Sequence, residues 1–235
     1  MSSRQQEKER RRQERLEREA AERRAAARKK RVGMVAAGIL AVLVLAGGAV
    51  GIIAATGGND EVPADNGQET AANVTLPQQE ETDVEAAAKA AGCKVETVAY
   101  AGAGHEDKDF KASDYNSNPP TSGSHNPAWS EDGVYEPGTT PKLGELVHTL
   151  EHGRINIQYK PGSPARTVQQ LEALYNEMSE GYHLLLYENT TGMKEAVAAT
   201  AWTQKLGCPE MNDKVFDAIR TFRARYIDKG PERVP

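Results

Sequence analysis

The chain has 235 residues, a formal net charge of −5 and two cysteines, a length that suits one or two domains. Two cysteines exclude a disulfide-dense scaffold, and glycine and proline without a period exclude a collagen-like chain. The charge is unevenly distributed, because residues 1–31 carry 13 Lys and Arg against 6 Asp and Glu, a net +7. The remaining residues carry 16 against 28, a net −12. Such asymmetry indicates a membrane or nucleic-acid contact at the basic end.

An apolar segment follows the basic tail. No charged residue occurs from Val32 to Asn59, and a helix over 32–56 is long enough to cross a hydrocarbon core of about 30 Å. Basic residues end the tail, whereas residues 57–83 hold seven acidic residues and no basic one. Positive residues stay cytoplasmic, so the sequence predicts a single-pass signal anchor in the cytoplasmic membrane, with the N-terminus inside and the remainder outside. The small residues Ala54 and Ala55 leave a cleaved signal peptide as the alternative.

Polar regions flank this predicted transmembrane helix. The cytoplasmic tail, 1–31, consists of strong helix formers with a coiled-coil composition but lacks an apolar stripe. We interpret it as a solvated topology signal or as a basic arm on anionic lipid. Interleaved Glu and the lack of aromatic residues argue against nucleic-acid binding. Residues 57–83 are acidic and poor in large apolar residues, which predicts a disordered linker. Residues 84–235 remain for one extracytoplasmic domain.

Helices and strands alternate in this predicted domain. Residues 84–91 predict a short helix that ends at Gly92, and 93–100 alternate as a strand. Residues 101–145 are rich in glycine and proline and predict a long loop, which in compact domains is usually functional or disordered. The pattern predicts an α+β fold, a small sheet with flanking helices and a long Pro/Gly-rich loop. Further strands are predicted at 154–160, 182–187 and 196–202, and further helices at 167–179 and 212–226.

The two cysteines, Cys93 and Cys208, both follow the predicted membrane segment. An oxidising compartment favours their pairing. A disulfide between them would close a loop of about 115 residues and tie the first predicted strand to the segment before the last helix. A reactive pair or a pair of metal ligands is the alternative, although the sequence has no C-x-x-C motif.

All five histidines also follow the membrane segment. His148 and His152 are four residues apart, so a helical turn places both imidazoles on one face, which suits two ligands of one zinc, copper or nickel ion. His125, in the proline-rich loop, offers a third imidazole. The alternative is that these histidines brace the loop against the sheet. His183 is predicted to be a structural residue within a strand, and His105 to be exposed in an acidic loop.

Glu151 lies between the paired histidines. The string fits H-x-x-E-H, the inverted zinc-protease motif, in which the glutamate is the catalytic base. Glu151 is otherwise expected to orient a ligand as a hydrogen-bond acceptor. Gly153 ends the helical turn that carries this motif, and no obvious second helix supplies a further ligand. Both points argue against a hydrolase. Ser122 and Ser124 lack the context of a nucleophile elbow.

Several motifs of the predicted domain carry a family resemblance. They are N-P-P-T-S-G-S-H ending at His125, G-V-Y at 133–135 and L-V-H-T-L-E-H-G ending at Gly153, with Tyr159, Ala201-Trp202 and residues 230–232 beyond. Together they resemble the domain of unknown function 3105 family over residues 84–235. Members are mostly bacterial, often actinobacterial, and commonly follow one N-terminal membrane helix. The resemblance therefore implies a bacterial source and agrees with the predicted anchor.

The family has no established activity to carry over. Its histidine-bearing motifs map onto His125, His148 and His152, which favours a metal site there. Met193 occupies a place where the family often has methionine, and a soft thioether beside imidazoles would favour copper over zinc. Packing of its loop is the alternative for Met193.

Three hypotheses follow from the sequence. The first is a membrane-tethered domain that binds one copper or zinc ion through His125, His148 and His152, with Met193 as a further ligand, for binding or handover rather than turnover. The second is a cell-envelope metallohydrolase with Glu151 as its base. The third is a non-catalytic structural or interaction module, whose protein partner the sequence does not identify.

Overall fold

Residues 74–232 are described in a computed structural model of the protein. The predicted basic tail, the predicted membrane segment and the first part of the predicted linker lie outside these residues. Within the described range, no helix is both long and apolar enough to cross a bilayer. The single membrane span therefore stays a prediction.

Helices and strands alternate along most of the described chain. The helices are α1 (Val84–Ala91), α2 (Leu143–Glu151), α3 (Ala165–Glu177) and α4 (Val215–Tyr226). The strands are β1 (Lys94–Thr97), β2 (Gly133–Val134), β3 (Ile155–Tyr159), β4 (Leu184–Glu188), β5 (Val197–Ala201) and β6 (Gln204–Cys208).

The strands form one mixed sheet in the order β1-β6-β5-β3-β4-β2. Neighbours from β1 to β3 are antiparallel, whereas β3, β4 and β2 are parallel. Parallel strands need a crossover connection, which α3 supplies between β3 and β4. The α+β fold class predicted from the sequence is confirmed for the described residues.

The central strand β3 separates two different faces of the sheet. Ile155 and Ile157 are fully buried in the main apolar core, together with side chains of α1, α3 and α4. Asn156, between them, points the other way, because successive side chains of a strand alternate. Its amide donates to the carbonyl of Leu146 at 2.9 Å and accepts from the Thr149 hydroxyl at 3.0 Å. These bonds, and the packing of Leu146 with Leu185 and Tyr187, fix α2 on the face of the sheet opposite the main core.

The long loop before α2 is hydrogen-bonded to two connections between strands of the sheet. The backbone N–H of Thr203 donates to the carbonyl of Thr121 at 2.9 Å, and the amide of Asn118 donates to the carbonyl of Thr191 at 2.9 Å. The predicted irregular stretch is thus held by the β4–β5 and β5–β6 connections, which positions the histidine that ends the P-P-T-S-G-S-H motif.

The ends of the domain are tied down as well. The sulfurs of Cys93 and Cys208 lie at bonding distance, 2.04 Å, in a disulfide that links residues 115 apart. Near the start, the backbone N–H groups of Glu80 and Glu81 donate to the Asp217 carboxylate of α4. The described end of the predicted linker therefore packs on the last helix.

Three elements differ from the sequence prediction, and one of them is the two-residue strand β2, which lies within the predicted long loop. The strand β6 was not predicted, because the turn between β5 and β6 contains Trp202 and Thr203 rather than glycine or asparagine. Thr203 adopts a φ of +60°, which is rare for a β-branched residue. The segment around His148 was predicted as a single turn, whereas α2 is nine residues long.

Candidate metal centre

The helix α2 and its C-terminal cap deliver two of the histidines. His148 lies in the last turn of α2, and His152 is the C-cap residue. Their ring centroids are 4.4 Å apart, as their spacing in the sequence predicts. Both side chains are buried. Gly153, with a φ of +82°, ends the helix and returns the chain to β3.

The long loop supplies two more histidines through a short parallel pairing of His105 with His125. The N–H of His125 donates to the carbonyl of Gly104 at 2.8 Å, and the N–H of Glu106 donates to the carbonyl of His125 at 2.8 Å. The two rings are 4.7 Å apart. The sequence predicted only an exposed His105, and its side chain is indeed 41% exposed, but the ring contacts the other histidines.

Three histidines and one glutamate converge at this point. The ring centroids of His105, His125 and His148 are 4.7, 4.8 and 4.7 Å apart. Glu151, one turn after His148, brings Oε2 to 2.9 Å from Nε2 of His125 and to 3.6 Å from Nε2 of His105. One ligand atom of each of the four residues lies within 4.8 Å of the others. We call His105, His125, His148 and Glu151 the inner cluster.

Backbone carbonyls orient two rings of the inner cluster. Nδ1 of His125 lies 2.8 Å from the carbonyl oxygen of Gly123, and Nδ1 of His148 lies 2.7 Å from that of Asn126. A carbonyl oxygen only accepts, so each Nδ1 carries the proton and each Nε2 keeps its lone pair. Metal-binding histidines are held in this way by the hydrogen bond of the second nitrogen.

The inner cluster contains two buried polar atoms without ordinary partners. Nε2 of His125 and Oε2 of Glu151 make no hydrogen bond with any described residue, although they are 2.9 Å apart. Burial lowers the pKa of His125 and of His148 and raises the pKa of Glu151. Two facing lone pairs repel, and buried polar atoms are normally paired. A proton or a cation between them removes the repulsion.

A second group of ligands adjoins the first and shares one histidine with it. Nε2 of His152 lies 3.3 Å from Oε2 of Glu232, whose side chain is 49% exposed. Ligand atoms of His148, His152 and Glu232 lie within 4.8 Å of one another. Burial, with smaller effects of His148 and Arg154, lowers the pKa of His152 to about 4. We call His148, His152 and Glu232 the outer cluster.

A C-terminal segment, residues 228–232, places Glu232 beside α2. The N–H of Asp228 donates to the carbonyl of Gly153 at 2.9 Å, and the N–H of Glu232 donates to that of Glu151 at 3.0 Å. A Cβ atom at Gly230 would lie 2.1 Å from the carbonyl oxygen of Glu151. The close approach therefore requires glycine, and it satisfies a carbonyl that the helix end leaves unpaired.

Both tryptophans of the chain lie beside these clusters. The ring of Trp129 is 4.9 Å from that of His152 and 5.6 Å from that of His148. The ring of Trp202 is 6.1 Å from that of His125. Intrinsic fluorescence therefore reports directly on changes at the histidines.

The other residues that the sequence analysis considered make contacts with neighbouring parts of the fold outside both clusters. Met193 is buried in the β4–β5 connection, where its N–H donates to the Asn189 side chain at 3.2 Å, and neither cluster needs it to reach three ligands. Nδ1 of His183 contacts the Asp228 carboxylate at 2.5 Å. The Ser122 hydroxyl accepts from the N–H of Ala101 at 3.1 Å.

Comparison with known proteins gives one family. The family of proteins of unknown function DUF3105 matches residues 107–234. The matched range holds every residue of the two clusters except His105, which lies two residues before it. No curated protein and no solved structure matches the chain.

Proposed function

We propose, for a chain that belongs to the DUF3105 family of proteins of unknown function, that the domain binds one divalent transition-metal ion at the inner cluster. The observation that carries the proposal is the convergence of four ligand atoms within 4.8 Å, of which two are buried without a hydrogen bond. A bound cation would pair both of these atoms. The histidine tautomers set by Gly123 and Asn126 already direct Nε2 lone pairs away from the backbone.

The distances within the inner cluster suit such an ion. Two ligands that each lie about 2.0–2.1 Å from zinc are about 2.9–3.4 Å apart at bond angles of roughly 90–109°. The contact between His125 and Glu151 is 2.9 Å, and that between His105 and Glu151 is 3.6 Å. A small rotation of the half-exposed His105 would bring its contact with Glu151 into this range.

The donor set favours zinc or copper(II). Imidazole and carboxylate suit these ions, whereas copper(I) prefers thiolate or thioether sulfur. In the sequence analysis, the preference for copper over zinc depended on Met193, whereas the fourth donor of the inner cluster is Glu151. Four protein ligands are typical of closed zinc sites, which hold an ion without turning over a substrate.

The expected position of this site is outside the cytoplasmic membrane. The proposal rests on the basic tail, the apolar segment 32–56 and the acidic residues after it. Protease added to intact cells should degrade the domain and leave the N-terminal tail protected. Protection of the whole chain would contradict this orientation.

Metal affinity tests the proposed site. In full-length protein purified in detergent, zinc is titrated against a chromophoric chelator. His125→Ala and His148→Ala should each weaken zinc binding by more than about tenfold, the loss that removal of even a ligand-orienting group causes. His183→Asn is the control, since it alters a histidine outside both clusters at a position with positive φ. Equal affinities in all four proteins would contradict the site.

A metallohydrolase is the second candidate, and the outer cluster is the observation that favours it. Two histidines and a glutamate form an open three-ligand set like that of catalytic zinc sites. Glu232 is the downstream third ligand that the sequence analysis did not find for the H-x-x-E-H motif. Glu151 would then be a base rather than a ligand. A Glu151→Gln protein that keeps its metal but loses peptide hydrolysis would support the hydrolase, whereas loss of the metal itself supports the closed site.

A further inference from the structure

We propose that the outer cluster is the entry position for the ion that the inner cluster holds, and that His148 stays bound to the ion as it passes from one to the other. This inference rests on the proposed function, because it assigns a route to the same bound ion. Its basis is the sharing of His148 between two groups of potential ligands.

The chemistry of His148 makes the two positions exclusive. Its Nδ1 is committed to the carbonyl of Asn126 at 2.7 Å, so only Nε2 has a free lone pair. A neutral imidazole with one free lone pair binds one ion at a time. The inner cluster with His148 has four ligands, and the outer cluster has three. A single ion therefore gains a ligand when it moves inward.

The two groups differ in how they meet solvent. The exposed ligand of the outer cluster is the Glu232 carboxylate, 49% exposed. The exposed ligand of the inner cluster is the imidazole of His105, 41% exposed, while the Glu151 carboxylate is 5% exposed. An exposed anionic group attracts a cation from solution. Behind it, His152 is buried, and its Nδ1 has no hydrogen-bond partner among residues 74–232. An arriving ion thus meets the Glu232 carboxylate first, then His152, whose Nε2 lies 3.3 Å from that carboxylate, and then His148, whose ring is 4.4 Å from that of His152.

The transfer itself is a ligand exchange without redox chemistry. The bonds from the ion to Glu232 and His152 break, and each donor takes back its lone pair. The bonds to His125, Glu151 and His105 form, while the bond to His148 persists. The ion keeps its charge throughout, so the exchange needs no oxidant, reductant or co-reactant.

The test compares binding rates with binding equilibria. Full-length protein is mixed with Cu²⁺ in a stopped-flow instrument, and the quenching of Trp129 and Trp202 is followed. Copper is a suitable probe, because imidazole sites bind Cu²⁺ at least as tightly as Zn²⁺. In Glu232→Gln, the association and dissociation rate constants should fall together by about tenfold, with Kd unchanged and one ion bound per chain.

Two comparison variants complete the experiment. Glu136→Gln removes an exposed carboxylate that belongs to neither cluster, and its rates should equal those of the wild type. His105→Ala should raise Kd, because it removes a ligand of the final position. Unchanged association in Glu232→Gln, a raised Kd in that variant or two ions per wild-type chain would overturn the entry route. Failure of the wild type to bind Cu²⁺ would instead overturn the proposed function.

Discussion

At the scale of single residues, two backbone carbonyls decide what the histidines can do. Those of Gly123 and Asn126 hold Nδ1 of His125 and of His148. Gly123 has a φ of +126°, and a Cβ atom there would lie 2.9 Å from the Tyr115 ring. The glycine of the S-G-S-H motif therefore acts indirectly, by letting the loop carry a carbonyl that fixes the tautomer of the histidine two residues later.

The burial of the histidines predicts an acid-sensitive metal-free protein. Burial lowers the pKa of His125 and His148, and that of His152 to about 4. Between the ordinary histidine pKa, about 6.5, and pH 4, the unfolded chain binds protons that the folded chain does not. The free energy of unfolding must then fall as the pH falls. Burial also raises the pKa of Glu151 and of Glu172, which acts in the opposite direction, but these are two carboxyls against three histidines.

Urea unfolding of metal-free protein at pH 7 and pH 5 measures this dependence. Stability should be lower at pH 5, and the difference should shrink in His152→Gln, which cannot be protonated. Equal or greater stability at pH 5 in the wild type would contradict the burial of neutral histidines.

Part of the site was accessible from the sequence. The spacing of His148 and His152 predicts their shared helical face, and His125 was identified as a third imidazole. His105 was missed, because its contact with His125 depends on a parallel pairing of two loop segments 20 residues apart, which no local pattern records. Glu232 was missed because its position depends on the return of residues 228–232 across α2.

At the scale of elements, one glycine in the first turn of α2 lets the helix pack closely against the loop. A Cβ atom at Gly144 would lie 2.2 Å from Oδ1 of Asn126 and 2.6 Å from the Phe110 ring. Asn126 is the residue whose carbonyl orients His148. Tight packing of α2 against the loop is therefore a condition of the inner cluster.

Gly144→Ala tests this packing against helix propensity. In an isolated helix, alanine is favoured over glycine by about 1 kcal/mol, but here the clash should displace Asn126 and release His148. We expect a lower unfolding temperature and weaker zinc binding. An increase in both, measured by calorimetry and chelator competition, would show that the loop does not need this contact.

Some helices and strands were predicted correctly from the sequence and others were missed, and each outcome has a physical reason. The helix α1 was predicted with its observed bounds, since Asp83 caps its start and Gly92 its end in the left-handed conformation. The strand β6 was missed, because Thr203 takes the positive φ that a turn usually assigns to glycine or asparagine. The alternating residues of β3 predicted where the strand lies in the chain. They did not predict which helices pack on each of its two faces.

At the scale of the whole molecule, the disulfide contributes stability without touching the site. The pair Cys93–Cys208 closes a separation of 115 residues, for which chain entropy gives about 5 kcal/mol at most. The double variant Cys93→Ala/Cys208→Ala should lose roughly 2–5 kcal/mol in urea unfolding but still bind zinc after folding. Unchanged stability would contradict a stabilising role of the disulfide. Loss of zinc binding in a variant that still folds would show that the disulfide also supports the metal site.

The charge distribution gives the molecule its proposed arrangement: a +7 tail before the apolar segment and a net −12 after it. The histidines and their glutamates all belong to the acidic part. A domain tethered outside the membrane would meet metal ions before they enter the cell, which suits a site built for holding or handing over an ion.

The metal content of the full-length protein tests the central claim most directly. The protein is purified without chelators, equilibrated with a small excess of Zn²⁺, desalted and analysed by elemental mass spectrometry beside the His125→Ala/His148→Ala double variant and the His183→Asn control. We predict one zinc ion per chain in the wild type and the control, and none in the double variant. A wild type without zinc, or equal zinc in all three proteins, would contradict the claim.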